Sequence, residues 1–225
     1  MARRIIDLST QIRTDHFRWK VERETPRSHA AGDFFEATWL AWNVHGFTHM
    51  DAGRHFAADG YTTEEIALEQ VIGAAAVVDL AGIAPDTAIS EQIIAAAGGH
   101  VAAGDIVLMR TCWDRVESLD TAEFWTRAPY MTAEACRWLL ARGLKAIAFD
   151  FPQDQCIRDL VTGARTPAPA ECTTHVELLL KGIPMFEYLS NTAALSRERV
   201  EFIGLPLKVP AGDGAPARVI AIEED

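Results

Sequence analysis

The feature that most constrains the fold of this chain is a series of short, nearly continuous apolar runs separated by helix-like segments. Such runs are typical of strands that are covered on both faces, and all of them are shorter than a membrane span. Their alternation with helical patterns predicts an α/β fold. The predicted strands cover residues 4–8, 37–44, 74–80, 105–109, 146–151, 200–203 and 219–222.

Two helices are predicted from the sequence. Thr132 can cap the first, and an apolar stripe follows it, whereas the second covers residues 90–97. Gly98 and Gly143 are suitable for ending these helices, since glycine readily adopts the left-handed conformation found there. Neither helix carries residues of evident chemical function.

A third predicted helix begins near residue 174. Thr174 and Glu177 have the spacing of a capping box, while Gly182 and Pro184 mark the end of the helix. His175 would then lie in the first turn, where the positive end of the helix disfavours an imidazolium ion. We therefore expect His175 to be neutral near pH 7, which is the metal-binding form.

Length, charge and cysteine content limit the class of protein. The 225 residues fit one domain spanning 1–225, and a net charge of −11 with scattered basic residues argues against nucleic-acid binding. We find neither a membrane span nor an export signal, so we expect a cytoplasmic protein. We expect its cysteines to be reduced thiols in or near the core: Cys112, Cys136, Cys156 and Cys172.

Histidines and a carboxylate are concentrated in one segment. Residues 43–60 contain His45, His49 and His55, with Asp51 between the last two. His49 and Asp51 are two positions apart, so in an extended segment both side chains point to the same side. Two glycines within the segment indicate turns, and we interpret it as an irregular loop that follows the predicted strand 37–44.

Imidazole and carboxylate ligands without thiolates are typical of a catalytic Zn²⁺, Mn²⁺ or Fe²⁺ site. Three histidines and one or two carboxylates exceed what one four-coordinate ion needs. The surplus indicates either two ions or one ion with a spare histidine for proton transfer. The alternative is a histidine-rich surface loop or a set of hydrogen-bonded core histidines.

Two motifs resemble those of the cyclase superfamily of metal-dependent hydrolases, which includes bacterial kynurenine formamidase and isatin hydrolase. The first is HGFTHMDAGRH over residues 45–55, followed by Ala58-Asp59-Gly60, which is similar to the family pattern HxGTHxDxPxH. The second combines His175, a Leu-Leu pair, a Gly-Ile-Pro turn at 182–184 and Glu187. The similarity spans nearly the whole chain.

This resemblance implies an α/β domain of the swivelling β/β/α type that forms homo-oligomers, either dimers or tetramers. It implies that His45, His49 and Asp51 hold one zinc or manganese ion. Asp51 and His175 would hold a second ion with Glu187 near both, so that each subunit binds one or two.

The resemblance also implies that His55 is the general acid/base of the reaction. A metal-bound hydroxide would attack the carbonyl of a small amide, lactam or ester. In an amide or lactam, the bond that breaks would be a C–N bond other than a peptide bond. Two alternatives remain open. One is a lyase or cyclase that uses the same metal, and the other is a catalytically silent protein that binds a metal or ligand.

The sequence departs from the family pattern at three places. Phe47 and Gly53 replace the usual glycine and proline of the first motif, and residues 14–19 replace a Pro-Gly-Asp segment. Phe17 and Trp19 lie where family members place aromatic residues that face the substrate. We therefore take these two residues and Phe47 as candidate contacts of a small-molecule substrate.

Overall fold

The computed structural model describes residues 3–224 of the chain. This part contains twelve β-strands and six α-helices, joined by loops and short 3-10 helices. The strands are β1 (Arg3–Asp7), β2 (Val21–Arg27), β3 (Ala37–Trp42), β4 (His49–Asp51), β5 (Ile72–Asp79), β6 (Ala88–Ile89), β7 (Ile106–Arg110), β8 (Tyr130–Met131), β9 (Ala146–Phe149), β10 (Met185–Glu187), β11 (Arg199–Pro206) and β12 (Gly214–Glu224). The helices are α1 (Leu68–Val71), α2 (Glu91–Ala97), α3 (Glu123–Thr126), α4 (Ala133–Ala141), α5 (Ile157–Thr162) and α6 (Thr173–Glu177).

Seven of the strands form a closed barrel. β12, β11, β5, β7, β9, β10 and β4 follow one another around it, and β4 pairs again with β12. The neighbours from β5 to β10 are parallel, while the remaining pairs are antiparallel. β1 pairs with the distal half of β12 outside the ring. The predicted α/β class is confirmed, with a barrel as its sheet.

Alternation along the barrel strands produces two hydrophobic layers. On β5, Ala75 and Val77 point into the barrel, where they pack with Met50 and Phe186, whereas Val78 points outward. The outward layer packs beneath α2 and α4. Both faces of these strands are therefore buried, which is why the sequence shows nearly continuous apolar runs there.

All seven predicted strands are present, with shifted ends. β3 ends at Trp42, before the predicted end at residue 44, and both β11 and β12 extend well beyond the segments 200–203 and 219–222. The helices predicted at residues 90–97 and after Thr132 are also confirmed. The Ser90 and Thr132 side chains accept hydrogen bonds from the amides of Ile93 and Ala135.

The interpretation of the histidine-rich segment as an irregular loop is wrong for its central part. Residues 49–51 are strand β4, which is hydrogen-bonded to β10 on one side and to β12 on the other. Three residues are too few for a periodic pattern to indicate a strand. The rest of the segment is irregular, apart from a short 3-10 helix at Gly53–His55.

The predicted capping box at the third helix is also wrong. Helix α6 begins two residues earlier than expected, with Cys172 rather than Thr174 at the N-cap position, and the Thr174 side chain does not cap it. The backbone N–H of Thr174 donates instead to the carboxylate of Asp154 at 2.7 Å. A carboxylate distant in sequence thus satisfies the N–H group that the capping box was expected to satisfy.

Within residues 3–224, no helix has both the length and the apolar character that crossing a membrane requires.

Candidate active site

A pair of short barrel strands presents three of the predicted site residues on one surface. In the antiparallel register of β4 and β10, His49 lies opposite Glu187. Met50 and Phe186 pair next to them and point into the barrel, so the alternation sends His49, Asp51 and Glu187 outward. All three side chains are nonetheless buried, because the helical layer covers this surface.

The segments flanking β4 carry the other two histidines. His45 precedes the strand in a turn where Phe47 has a φ of 61°, and His55 ends the 3-10 helix that follows the strand. A Cβ atom on Gly53 would lie 2.7 Å from the Tyr61 ring. Glycine at this position therefore allows Tyr61 to pack against the turn that places His55.

Helix α6 brings His175 to the same centre from the other side. Its imidazole Nδ1 donates a hydrogen bond to the Asp154 carboxylate at 2.6 Å, and the ring of Phe56 stacks on it at a centroid distance of 4.2 Å. These contacts direct the other ring nitrogen, Nε2, toward the strands β4 and β10.

Asp51 lies at the centre of the group. Its Oδ1 atom is 2.7 Å from His45 Nδ1 and 3.0 Å from His49 Nε2, whereas its Oδ2 atom is 3.3 Å from His175 Nε2. The Glu187 carboxylate lies 3.8 Å from His49 Nε2 and 3.7 Å from His175 Nε2. The amide nitrogen of Gln153 donates to Glu187 and fixes its orientation. The structure thus brings together all five residues predicted as metal ligands.

The protonation of His49 indicates that this centre fits a cation. Its Nδ1 atom is 2.8 Å from the carbonyl oxygen of Phe47, which can only accept, so the proton resides on Nδ1. The buried Nε2 atom makes no hydrogen bond to any residue in the 3–224 range, although Asp51 is nearby. A buried ring nitrogen without a hydrogen bond, 3.0 Å from a carboxylate oxygen, fits a cation bound by both groups.

His45 and His175 have a related arrangement. Each directs one ring nitrogen to Asp51 and the other to a second carboxylate, Asp213 for His45 and Asp154 for His175. Histidine ligands of metal ions usually hydrogen-bond through their other nitrogen to a carboxylate or carbonyl in this way. The donor set at the centre is therefore suited to Zn²⁺ or a similar divalent ion.

His55 lies at the solvent side of the group. Its side chain is 30 % exposed, and its ring stacks on that of His45 at a centroid distance of 3.9 Å. Its Nδ1 atom is 3.9 Å from the Asp213 carboxylate, which also accepts from His45 at 2.9 Å. Several trios within this group have ligand atoms close enough to share one ion, including His45-His49-Asp51 and Asp51-His55-His175.

The pKa values of these groups are shifted in two directions. Burial lowers the pKa of His45, but the carboxylates Asp51 and Asp213 raise it, and the net result is a pKa of about 9. For His55, burial dominates and lowers the pKa to about 4. Burial and the adjacent Asp51 raise the pKa of Glu187.

The expectation that the positive end of the helix keeps His175 neutral is wrong. Burial lowers the pKa of His175, but hydrogen bonds to the Asp154 and Asp51 carboxylates outweigh it and hold the pKa well above the usual value. The charge of these carboxylates exceeds the partial charge at the start of a helix of only five residues.

The aromatic residues proposed as substrate contacts lie in one cluster beside the centre. Trp19 and Phe47 are buried, and the Trp19 ring contacts those of His16, Phe47 and Tyr188 at centroid distances of 4.5 to 4.9 Å. Tyr188 connects this cluster to the site, since its ring centroid is 5.7 Å from that of His49. Phe17 lies at the edge of the cluster and is half-exposed.

Sequence reasoning missed several residues around the site. Asp150 and Asp154 follow strand β9. Both are buried, Asp150 accepting from backbone and hydroxyl groups of Thr111 and Asp154 holding His175. Asp213 was not singled out at all. The sequence signal that could have identified Asp154 is its position shortly after a barrel strand.

The chain is similar in sequence to known proteins. A family model named Cyclase, described as "Putative cyclase", matches residues 6–153. An isatin hydrolase from Roseibium aggregatum is 27% identical over 85% of this chain and 76% of its own length. A kynurenine formamidase from Erythrobacter litoralis is 28% identical over 98% of this chain and 94% of its own length.

Solved structures show the same fold. Isatin hydrolase A from Labrenzia aggregata, bound to benzyl benzoate, superposes with a TM-score of 0.80 at 23% identity, covering 99% of this chain and 94% of its own. An isatin hydrolase bound to the product analogue thioisatinate has a TM-score of 0.81 at 22% identity, with coverages of 99% and 93%.

The relatives named as hydrolases, together with a histidine–carboxylate centre that could hold a metal ion, define the class as metal-dependent hydrolase. Because the family model matches more than half of its residues, the chain belongs to the Cyclase family.

Proposed function

We propose that this protein hydrolyses the C–N bond of a small cyclic or aryl amide, such as a lactam or a formanilide, with small esters as a further substrate class. The observation that carries the proposal is Asp51, whose two oxygens face different histidines. One oxygen faces His45 and His49, and the other faces His175. Relatives named isatin hydrolase and kynurenine formamidase support hydrolysis over a lyase reaction or an inactive binder.

The proposed cofactor is zinc or manganese, one or two ions per subunit. His45, His49 and Asp51 would hold one ion, and His175, Glu187 and the second oxygen of Asp51 are arranged for another. A divalent ion supplies Lewis-acid chemistry here, lowering the pKa of water and polarising a carbonyl oxygen. The lone pair of His49 and the buried carboxylates support this assignment.

His55 is the proposed general acid/base. It is the most exposed of the site histidines, and its imidazole can accept a proton at the solvent side of the centre. Stacking on His45 and the nearby Asp213 hold its ring at the solvent side. It can then return the proton to the leaving nitrogen.

The proposed substrate pocket lies on the aromatic side of the centre. Phe17 is half-exposed at the edge of the aromatic cluster, whereas Trp19 and Phe47 are buried behind it. In this proposal Phe17 touches the substrate ring, and the other two support its position. An aromatic or cyclic amide would complement such a wall better than a charged substrate.

We also propose that the protein is one domain spanning 1–225 and forms homo-oligomers. The barrel joins β1, at the beginning of the chain, to β12, at its end, which supports a single domain. β2 and β3 form a separate two-stranded ribbon that exposes Phe34, Phe35 and Trp39. Such a ribbon is only marginally stable in water, and a second copy of the chain would cover its apolar surface.

The decisive experiment measures bound metal and hydrolysis in the same preparations. Purified protein is analysed for elemental zinc, manganese and iron and assayed with formanilides, lactams and lactones. His49→Ala should lose both the metal and the activity, whereas the control His29→Ala, in an exposed 3-10 helix, should retain both. If the wild type fails to bind zinc, manganese or iron after incubation with each ion, the proposed function is wrong.

Oligomerisation has its own test. Light scattering on the eluting protein gives the molar mass of the wild type, of Phe34→Ser and of the control Leu68→Ser, which removes an exposed apolar side chain of helix α1, a helix that contacts β5 and β11. We expect a dimer or tetramer that only Phe34→Ser weakens. A monomeric wild type at micromolar concentration would contradict the homo-oligomer.

A further inference from the structure

Two thiols outside the proposed ligand set lie in direct contact. The Sγ atoms of Cys156 and Cys172 are 3.2 Å apart. Cys156 immediately precedes α5, and Cys172 immediately precedes α6. A disulfide bond is about 2.05 Å long, so the two sulfur atoms need to approach by only about 1.1 Å.

Both thiols lie near solvent. Cys156 lines a surface cavity of about 460 Å³ together with Thr132, Gln155 and Arg165, and Cys172 is partly exposed. A small oxidant can therefore reach the pair without unfolding of the barrel. Cys136, by contrast, is fully buried on the inner face of helix α4.

We propose that Cys156 and Cys172 are a redox-sensitive pair that forms a reversible disulfide with a low-molecular-weight disulfide, such as oxidised glutathione, as the oxidant. The Cys172 thiolate attacks one sulfur of the oxidant, whose S–S bond breaks and releases one thiol. Cys156 then loses its proton to solvent and attacks Cys172 Sγ in the mixed disulfide, releasing the second thiol. Two protein thiols are oxidised, and one small disulfide is reduced to two thiols.

The order of these two steps follows from the contact between the thiols. The hydrogen bond from Cys156 lowers the pKa of Cys172, and the same contact, with burial, raises the pKa of Cys156. Cys172 is also the more exposed of the two residues. It is therefore the sulfur that reacts first with the oxidant.

The disulfide would join the two segments that orient His175. Asp154 lies two residues before Cys156, and its carboxylate accepts hydrogen bonds from the Thr174 amide and His175 Nδ1, just after Cys172. Closing the chain between 156 and 172 would restrict the unfolded state, which corresponds to a rise in Tm of roughly 5–10 °C. Oxidation would thus stabilise the start of α6 and the contact between Asp154 and His175.

The test uses the folded, full-length protein and reads mass rather than catalysis, so its outcome is independent of the proposed hydrolase activity. After incubation with oxidised glutathione we expect the intact mass to fall by about 2 Da, the loss of two hydrogens. Peptide mapping should join 156 to 172, dithiothreitol should reverse the change, and Tm should rise in the oxidised protein only.

Single variants separate this pair from the other cysteines. Cys156→Ser should stop at a mixed disulfide with glutathione on Cys172, and Cys172→Ser should lack the cross-link. Cys112→Ser, the matched control, should still form it. The proposal is overturned if the folded wild type keeps both thiols under oxidant, if it forms the bond only in denaturant, or if the cross-link joins other cysteines.

Discussion

Replacing Asp154 with asparagine tests the idea that carboxylates around the centre set its metal affinity. Asp154 is buried, and its two oxygens accept from the Thr174 amide at 2.7 Å and from His175 Nδ1 at 2.6 Å. The asparagine side chain keeps one acceptor oxygen, but its amide group then faces one of these two N–H donors. The change also removes the negative charge that makes His175 a stronger ligand.

The expected magnitude follows from the loss of a carboxylate behind a metal-binding histidine. Such changes cost about 10–100-fold in metal affinity, which corresponds to roughly 1.4–2.8 kcal/mol. Leaving one buried N–H group unpaired costs about 1–3 kcal/mol of stability in addition. We therefore expect Asp154→Asn to fold with a lower Tm and to bind zinc about 10–100-fold more weakly.

Competition with a zinc-binding dye measures the affinity, and circular dichroism verifies the fold. Asp159→Asn is the matched control, because it removes a carboxylate of α5 that forms a surface ion pair with Arg165. A folded Asp154→Asn whose zinc affinity stays within about twofold of the wild type would refute the reasoning, since His175 would then not depend on its carboxylate partner.

Three further predictions follow from contacts at and away from the centre. Gly53→Ala should lower the free energy of unfolding by about 1–3 kcal/mol in urea titrations, since the new Cβ would lie 2.7 Å from Tyr61. The control is Gly82→Ala, whose added Cβ meets no atom within 4 Å and which should affect stability only through the positive φ at that position. Burial raises the pKa of Asp105, but the hydrogen bond from Arg199 and the other contacts of the carboxylate outweigh burial, so the net pKa is lowered. The carboxylate therefore stabilises the folded protein above its unfolded pKa, and this stabilisation is lost as the pH falls through its folded pKa. Asp105→Asn should therefore cost about 1–2 kcal/mol near neutral pH and little in strong acid, as urea titrations at the two pH values would show. Asp51 and Asp213 outweigh burial and raise the pKa of His45 to about 9, so zinc must displace a proton from His45 in order to bind. Calorimetry should therefore find a zinc affinity that rises roughly tenfold per pH unit between about pH 6 and 8. A pH-independent zinc affinity would contradict this.

The sequence predicted the barrel strands that are buried on both faces, because their apolar runs are long enough to carry a pattern. It did not predict β4 and β10, which have three residues each. Their strand geometry comes from pairing with each other and with β12 and β9, not from local preference. Even so, the two-residue spacing of His49 and Asp51 correctly predicted that both side chains point to the same side.

The same limit applies to the residues that support the site. The carboxylate that caps α6 is twenty residues before Thr174, so local sequence favoured Thr174 as the cap. Asp213 lies in the Gly-Asp-Gly turn before β12, a sequence typical of an exposed turn. It reaches His45 only because β12 pairs with β4, which brings residues 168 positions apart into contact. Long-range pairing of this kind leaves no periodic signal in a single sequence.

The site therefore has a rigid half and a less constrained half. His49, Asp51 and Glu187 lie on two hydrogen-bonded barrel strands, and their relative positions are fixed by the register of β4 and β10. His175 lies on a five-residue helix that depends on Asp154 for its orientation. Because a helix this short contributes little stability of its own, changes on its side should affect metal binding before they affect the barrel. This asymmetry predicts that Asp154→Asn and oxidation of the Cys156–Cys172 pair alter the centre while the barrel stays intact.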